Sequence, residues 1–210
     1  NRRMNETLEK IGQTLFKHYF IDNPDRNNWE KRSLNSFGEI ICGKTPPKNR
    51  AEYFGGVIPF IKIPDMHGQV FITETQDNLT EPGRDSQRNK TLPANTICVS
   101  CIATVGLVSL TSQPSQTNQQ INSVVPTEDE QTFFLYFLLK SMNSQLTDMA
   151  SGGSATPNLN TSSFSKISIT SPDNKTLVNF HLGVRPIFEQ ILINQKQSQR
   201  LAELRDSLLP

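Results

Sequence analysis

The sequence contains few cysteines and no long apolar run. Its 210 residues include three cysteines, an odd number that argues against a disulfide framework and fits a reducing compartment. No segment approaches the roughly 20 consecutive apolar residues of a membrane-spanning helix, and residues 1–5 precede no apolar core of the kind found in a signal peptide. These absences predict a soluble cytoplasmic protein with no membrane partner. The start at Asn1 suggests a piece of a longer chain.

An excess of charge of either sign is also absent. The 21 basic and 20 acidic residues leave a net charge of +1, which excludes a globally basic nucleic-acid binder but allows a local basic patch. Lys44, Lys62, Arg84 and Arg88 occur beside short apolar runs or in polar loops, where such a patch could form. The alternative is that these cations are ordinary solvated surface residues.

No motif for a metal or a catalytic nucleophile is complete. Cys98 and Cys101 form one CxxC pair, but a second pair of ligands is missing, and residues three apart in a strand point to opposite faces. The three histidines are scattered along the chain. We therefore expect buried structural cysteines, no metal site and no bound cofactor.

The segment 38–45, GEIICGKT, matches the P-loop pattern GxxxxGK[ST]. A working P-loop follows a buried strand and opens a helix whose N-terminus holds phosphate. Here the residues between the two glycines are themselves strand-like, and Pro46 and Pro47 follow directly. We therefore expect no nucleotide site at this motif.

The stretch 92–122 organises the rest of the chain. Residues 96–102 are rich in β-branched side chains and predict a strand, and residues 107–110 predict a second one. The run 111–120 then carries many amides and hydroxyls and almost no charge. Because amides and hydroxyls donate and accept hydrogen bonds, we expect this run to form a surface that reads base edges.

Short apolar runs separated by Gly, Pro and Asn clusters extend from residue 29 to about residue 172, and they predict a strand-rich domain with long loops. Residues 131–142 differ, since they are apolar nearly all round and predict a short helix packed in the core against the sheet. An exposed loop at 150–158 and a last strand at 166–169 follow.

Both ends of the chain predict helices. Residues 3–20 carry one narrow apolar stripe, and residues 186–209 keep a three-four spacing, with Pro186 in the first turn. The middle of the second helix, 194–200, is polar, and polar seam positions lower stability but fix register. We predict an α+β fold in which the two helices pack as an antiparallel coiled coil.

A series of short motifs adds a family resemblance. In chain order they are GKTPP at 43–47, YFGG at 53–56, IPFI at 58–61, Asp65, LPANT at 92–96, ATVG at 103–106, QQIN at 119–122, SGGS at 151–154 and LAELRDSLLP at 201–210. In this order, with a helix at either end, the chain resembles the DNA-specificity subunit of Type I restriction-modification enzymes, in particular its second half. Residues 5–17 resemble the central helix of that family.

The resemblance implies a non-catalytic reader of double-stranded DNA. In that family each target-recognition domain reads one half of a bipartite site. Antiparallel helices hold two such domains apart and bind the methyltransferase subunits, which, with the restriction subunit, carry the chemistry. The implied division is a central helix at 1–22, a target-recognition domain at 23–178 and a conserved helix at 179–210. With one recognition domain, the chain is a fragment, a truncated product, or a half-subunit that pairs with a second recognition domain or a second copy.

The residues that we assign to DNA divide into cations, expected at phosphates, and uncharged side chains, expected at bases, with Gln on adenine above all. The DNA-binding candidates are Lys44, Thr45, Lys62, Arg84, Arg88, Thr104, Gln119, Gln120 and Ser154. The candidates for binding other subunits through the helices are Leu8, Ile11, Leu15, Ile191, Leu201 and Leu208.

Two other interpretations stay open. The domain could be the recognition part of a fused methyltransferase, with catalytic motifs outside this sequence. Alternatively, the helices could make the chain an assembly scaffold without a DNA target of its own. Enrichment of a half-site from random duplexes would favour recognition. The bases recognised do not follow from the sequence, because specificity depends on loop geometry.

Overall fold

The computed structural model describes residues 1–152 and 156–208, which form two compact units. The helical unit combines Asn1–Trp29 with the chain from Pro172 onward, and the sheet unit is Glu30–Ser171. The sequence suggested boundaries at 22/23 and 178/179 instead. The turn that leads to Trp29 belongs with the helices because the Trp29 indole lies 6.3 Å, centroid to centroid, from the ring of Phe20.

The elements of both units follow in chain order. The helices are α1 (Arg2–Phe16), α2 (Ile63–Met66), α3 (Glu81–Asp85), α4 (Gln131–Ser141), α5 (Asn143–Ala150), α6 (Thr161–Ser165) and α7 (Asn174–Leu208). The strands are β1 (Glu30–Ser33), β2 (Gly38–Cys42), β3 (Phe54–Ile61), β4 (Phe71–Ile72), β5 (Asp77–Leu79), β6 (Ile97–Ser100), β7 (Val108–Thr111), β8 (Gln116–Thr117), β9 (Ile121–Pro126) and β10 (Ser168–Ser171). A π-helical turn, Lys17–Ile21, extends α1, and 3₁₀ turns occur at Pro24–Asn28, Leu34–Ser36, Ala51–Tyr53 and Arg88–Lys90.

Helices α1 and α7 pack side by side in opposite directions. At the start of α1, the Asn5 Nδ2 donates to the Ile191 carbonyl at 3.4 Å. At its end, the Phe16 ring lies 6.3 Å, centroid to centroid, from the ring of Phe180. Because the earlier residue of α1 meets the later residue of α7, the predicted antiparallel helix pair is confirmed.

Helix α7 begins earlier than the sequence pattern indicated. It starts at Asn174, so Pro186 lies inside the helix and not in its first turn. The Asp173 carboxylate accepts hydrogen bonds from the backbone N–H and the hydroxyl of Thr176, and the backbone bond chiefly lowers the pKa of Asp173. An interior proline removes one backbone hydrogen bond. The turns before it nevertheless stay helical because they bury Phe180 and Val184.

The seam between the two helices combines aromatic rings with one polar layer. Phe16, Phe20 and Phe180 are buried in it. Asn194 is 3% exposed, and its Nδ2 donates to Asn5 Oδ1 at 2.8 Å. Such a polar pair inside an apolar seam fixes the register of the two helices. None of the described helices is both long and apolar enough to cross a membrane.

The strands of the sheet unit form three sheets. The largest has the order β2-β9-β6-β7-β4, a second has the order β5-β3-β8, and β1 pairs with β10. Most pairs are antiparallel, but β4 runs parallel to β7 and β8 runs parallel to β3. Helix α4, predicted as a core helix, contacts β6 and β7 and buries Phe134 and Tyr136 almost completely. With the two long helices, these sheets confirm the α+β fold class.

Strand β9 was not identified from the sequence. It lies between β2 and β6, with Val124 opposite Ile40 on one side and Ile97 on the other. Ile121 and Val124 are fully buried. The strand follows directly on a run of polar residues, so no break in composition marks where the loop ends and the strand begins.

Candidate nucleic-acid interface

The Gly-Lys-Thr segment is held by its backbone against the start of β9. Gly43 N–H donates to the Ile121 carbonyl at 3.1 Å, and Lys44 N–H donates to the Thr117 carbonyl at 2.9 Å. A Cβ at Gly43 would lie 2.1 Å from the Asn118 carbonyl oxygen, so this position admits only glycine. The Lys44 side chain is exposed. Residues 43–50, all described, form no helix, so the geometry of a P-loop is absent here.

Two buried glutamines, Gln87 and Gln116, join this segment to the basic loop before β6. Gln87 Nε2 donates to the Lys44 carbonyl at 2.5 Å and to Gln116 Oε1 at 2.9 Å. Gln116 Nε2 donates to the Arg84 carbonyl at 3.0 Å and to the Thr91 hydroxyl at 2.9 Å. Gln87 is 5% exposed and Gln116 is fully buried. Sequence patterns did not single out either residue.

The Gln87–Gln116 pair connects the segments that carry three candidate cations. The backbone of Lys44 and that of Arg84 both bond to the pair, and Arg88 begins the 3₁₀ turn that follows Gln87. Arg84 also pairs with Asp85 at 2.9 Å, and the hydrogen bond to that carboxylate raises the pKa of Arg84. Lys44 and Arg88 are exposed and Arg84 is half-buried. Cations held at fixed positions suit contacts with successive phosphates.

The expectation that the whole run 111–120 forms an exposed surface is wrong. Ser115, Gln116, Thr117 and Asn118 are buried, and Gln116–Thr117 forms β8. The polar groups of Ser115, Gln116 and Asn118 bond within the protein, whereas the Thr117 hydroxyl is buried without a hydrogen-bond partner. Ser115 also exchanges two backbone hydrogen bonds with Leu92. The backbone groups of a buried loop must be hydrogen-bonded. Polar side chains buried with the loop therefore bond to groups inside the protein and do not face solvent.

The turn after this buried run does reach the surface. Gln119 is exposed, and the Thr45 hydroxyl donates to its Oε1 at 2.7 Å. Gln120 is half-buried, and its Oε1 accepts a hydrogen bond from Asn118 Nδ2 at 2.9 Å. The structure thus brings the predicted residues Thr45 and Gln119 into direct contact. The hydroxyl orients the carboxamide that we expect to read a base.

The loop that carries Thr104 lies next to this turn. Cys101 N–H donates to the Gln120 carbonyl at 2.8 Å, and Ala103 N–H donates to the Pro157 carbonyl at 3.0 Å. Ala103 adopts a left-handed φ of 64°, which places Thr104 at an exposed tip. Ser154, the remaining uncharged candidate, lies outside the described residues.

Lys62, like Arg84, already has a charged partner. It forms an ion pair with Asp77, and its side chain is 33% exposed. Asp65 accepts a hydrogen bond from the Lys62 backbone N–H at 2.8 Å and one from Gln76 N–H at 3.0 Å. Lys62 is therefore less available for a phosphate than Lys44, which has an exposed side chain.

The two cysteines of the CxxC pair are buried. Cys98 is fully buried, and Cys101 is 1% exposed. Burial raises the pKa of Cys98 to about 12 and that of Cys101 to about 11, so both stay protonated near neutral pH. The described part of the chain contains no group of three or more side chains able to hold a metal ion.

The candidates on the helices divide between the seam and the outer surface. Ile191 is fully buried within the helical unit, and Leu8 and Leu15 are half-buried. Ile11 is 46% exposed, Leu201 63% and Leu208 81%. Apolar side chains with this exposure are available to a partner, whereas Ile191 stabilises the helix pair itself.

A family model for the Type I restriction modification DNA specificity domain matches residues 26–200. The chain belongs to this family. The match includes the sheet unit and most of α7, so this specificity domain extends over both compact units.

Relatives of this specificity domain are longer proteins. The chain is 56% identical to the Type I restriction enzyme HindI specificity subunit of Haemophilus influenzae, over 87% of this chain and 40% of that protein. It is 28% identical to the MjaIX specificity subunit of Methanocaldococcus jannaschii, over 100% of this chain and 52% of that protein. The fold is similar to that of the HsdS subunit of Thermoanaerobacter tengcongensis, with a TM-score of 0.62 at 17% identity over 92% of this chain and 46% of that one. The chain thus spans about half the length of the relatives that it matches, or less.

Proposed function

We propose that this chain is the DNA-reading part of a Type I restriction-modification enzyme, that it reads one half of a bipartite site, and that it catalyses no reaction itself. The observation that carries the proposal is the link that the buried Gln87–Gln116 pair makes between Lys44 and Arg84, beside the hydrogen bond from Thr45 to Gln119, in a chain of this family. A surface that must read bases needs polar groups whose positions are fixed before DNA arrives.

The cations and the amides have separate tasks in this proposal. Lys44, Arg84 and Arg88 hold phosphates, which supplies affinity without sequence information. Gln119 and Thr104 face base edges, where a carboxamide makes two hydrogen bonds to adenine. The net charge of +1 implies weak binding by this chain alone, so partner subunits supply much of the electrostatic attraction.

We also propose that the exposed apolar residues of the helical unit bind methyltransferase subunits, which in turn recruit the restriction subunit. Ile11, Leu201 and Leu208 present apolar surface to solvent. The second half-site would be read by a second recognition domain, either in the rest of a longer polypeptide or in a second copy of this chain. Because the proposed substrate is cellular and incoming DNA, we place the complex in the cytoplasm.

Selection from random-sequence duplexes tests the DNA-reading role. The chain, assembled with its methyltransferase subunits, is incubated with the duplex library, and bound DNA is recovered and sequenced over several rounds. A reader enriches a half-site of a few base pairs. If no sequence is enriched although the complex assembles, the chain is a scaffold and the proposal fails. Family membership does not favour the third interpretation, a fused methyltransferase.

A further inference from the structure

Strand β3 contains an irregularity that pushes three residues out of its ladder. Phe54 and Ile58 both lie opposite Leu79 of β5, so Gly55, Gly56 and Val57 have no partners of their own. Extra residues of this kind bend a strand and redirect the side chain that follows.

Two glycines allow these three residues, which we call the excursion, to leave the ladder. Gly55 has a left-handed φ of 84°, which side-chain-bearing residues rarely adopt. A Cβ at Gly56 would lie 2.4 Å from the Leu79 carbonyl oxygen, so a side chain there would push β3 away from β5. Val57 is therefore the residue that the excursion presents to solvent, and it is 87% exposed. The other large apolar side chain exposed among the described residues of the sheet unit is Met149, at 40%.

The base of the excursion is fixed to the helix that carries Arg84. Thr80 N–H donates to the Tyr53 carbonyl at 3.0 Å, and the Thr80 hydroxyl donates to the Glu52 carbonyl at 2.6 Å. Thr80 also caps α3, since its hydroxyl oxygen accepts a hydrogen bond from Gly83 N–H. Val57 thus belongs to an anchored structural feature and not to a free loop.

We propose that Val57 is a specificity-determining residue that contacts the C5-methyl group of a thymine in the major groove. This inference rests on the proposed DNA-reading function. The thymine methyl is the apolar group on a base edge in that groove, and it is read by apolar side chains. The Val57 side chain has no polar atom with which to read any other edge.

The surroundings of Val57 favour DNA over a protein partner. Protein interfaces bury contiguous apolar patches, whereas the segment before β3 and the helix that anchors it carry charge. Arg50 and Glu52 form an exposed pair at 3.3 Å just before the strand, and Arg84 lies on the anchoring helix. A single apolar side chain beside charged pairs fits a partner that exposes isolated methyl groups and not a contiguous apolar patch.

Replacement of thymine by deoxyuridine tests the contact, because it removes the methyl group and leaves every hydrogen-bonding atom in place. The duplex selected by the assembled enzyme is made with deoxyuridine at one thymine position at a time. We expect one position at which loss of the methyl weakens binding about fourfold, the equivalent of one buried methyl group. Val57→Ala should bind the thymine duplex more weakly and should no longer respond to deoxyuridine at that position. Met149→Ala, the matched change of another exposed apolar residue, should respond like the parent.

Three results would overturn the inference, and they can be told apart. If the parent enriches a half-site but no methyl effect depends on Val57, the contact does not exist and the DNA-reading function stands. If Val57→Ala instead lowers recovery of the methyltransferase subunits and leaves DNA discrimination unchanged, Val57 contacts a protein. If the parent enriches no site at all, the proposed function itself fails.

Discussion

The helical unit and the sheet unit bury polar side chains to very different extents. Among the described residues, Asn194 is the one buried polar side chain of the helical unit, whereas the sheet unit buries twelve. Helices pair their own backbone groups, so their seam needs only apolar side chains. Loops pair fewer of their own backbone groups, and a buried amide such as Gln87 bonds to a loop carbonyl, that of Lys44. A binding surface made of loops therefore requires polar residues beneath it as well as on it.

The largest effect is expected from a charge in the apolar seam. Ile191→Asp places a carboxylate at a fully buried position and should lower the free energy of unfolding by about 4 kcal/mol. Leu201→Asp is the matched control, because Leu201 is 63% exposed and its replacement should leave stability unchanged. Denaturant unfolding measures both variants. We expect Leu201→Asp to weaken co-purification with methyltransferase subunits, and unchanged recovery would contradict the proposed docking role of the outer residues.

A nearly equal effect is expected when a buried amide of the sheet unit becomes apolar. Gln116→Leu removes the side-chain hydrogen bonds to Gln87, Arg84 and Thr91 and should lower the free energy of unfolding by about 3 kcal/mol, at about 1 kcal/mol for each of these partner residues. Gln113→Leu, in the same run but exposed, should change it by less than about 0.5 kcal/mol. Equal stability of the two variants in urea would mean that the buried amides do not hold the loops.

The next effect concerns DNA binding and separates bases from phosphates. Gln119→Ala should weaken binding to the cognate duplex by about 2 kcal/mol and change binding to a scrambled duplex little. Lys44→Ala should weaken both duplexes alike and flatten the salt dependence by about one unit. Titrations of the assembled enzyme at several salt concentrations measure both. A cognate-to-scrambled ratio that Gln119→Ala leaves at the parent value would exclude this glutamine as a reader.

A smaller effect of opposite sign is expected in the helical seam. Asn194→Leu replaces a polar side chain that bonds to Asn5 with an apolar one of similar size, and it should raise the free energy of unfolding by about 1 kcal/mol. Gln197→Leu, on the exposed side of α7, serves as the control and should have little effect. If Asn194→Leu is clearly less stable than the parent, the buried polar side chains stabilise both units, and the expected difference between Asn194 and Gln116 does not exist.

The smallest effect involves the thiols of the sheet unit. Because burial raises the pKa values of Cys98 and Cys101, an alkylating reagent at about pH 8 should modify half-buried Cys42 first in the folded protein. The folded state binds these protons more tightly than the unfolded state. The two thiols therefore contribute stability below pH 9.0 that is lost as the pH rises toward 12. Peptide mapping after alkylation checks the order, and early labelling of Cys98 would contradict it.

Elements with a strong local pattern could be predicted, and elements defined by pairing could not. Helix α4 was evident because its residues are apolar nearly all round. Strand β9 was missed because it follows directly on a polar run, part of which is itself buried. The start of α7 was placed too late because the proline suggested a first turn, whereas burial of Phe180 and Val184 extends the helix backward.

The candidate site shows the same limit at the level of single residues. Thr45 and Gln119 were both chosen for their chemistry, but the hydrogen bond between them joins residues 74 positions apart. Gln87 and Gln116 were overlooked because a buried glutamine and an exposed one look alike in a sequence. Val57 was overlooked because its exposure arises from a shift in strand register.

The sequence by itself determined the family, the α+β class, the two terminal helices and the chemistry available to the loops, because these depend on local composition, periodicity and motif order. Only the tertiary structure decided which polar residues face solvent and which support the loops from inside. It also decided which apolar residues pack in the helical seam and which stay exposed. Burial is a property of the neighbours that a residue acquires on folding, and most of those neighbours are distant in sequence.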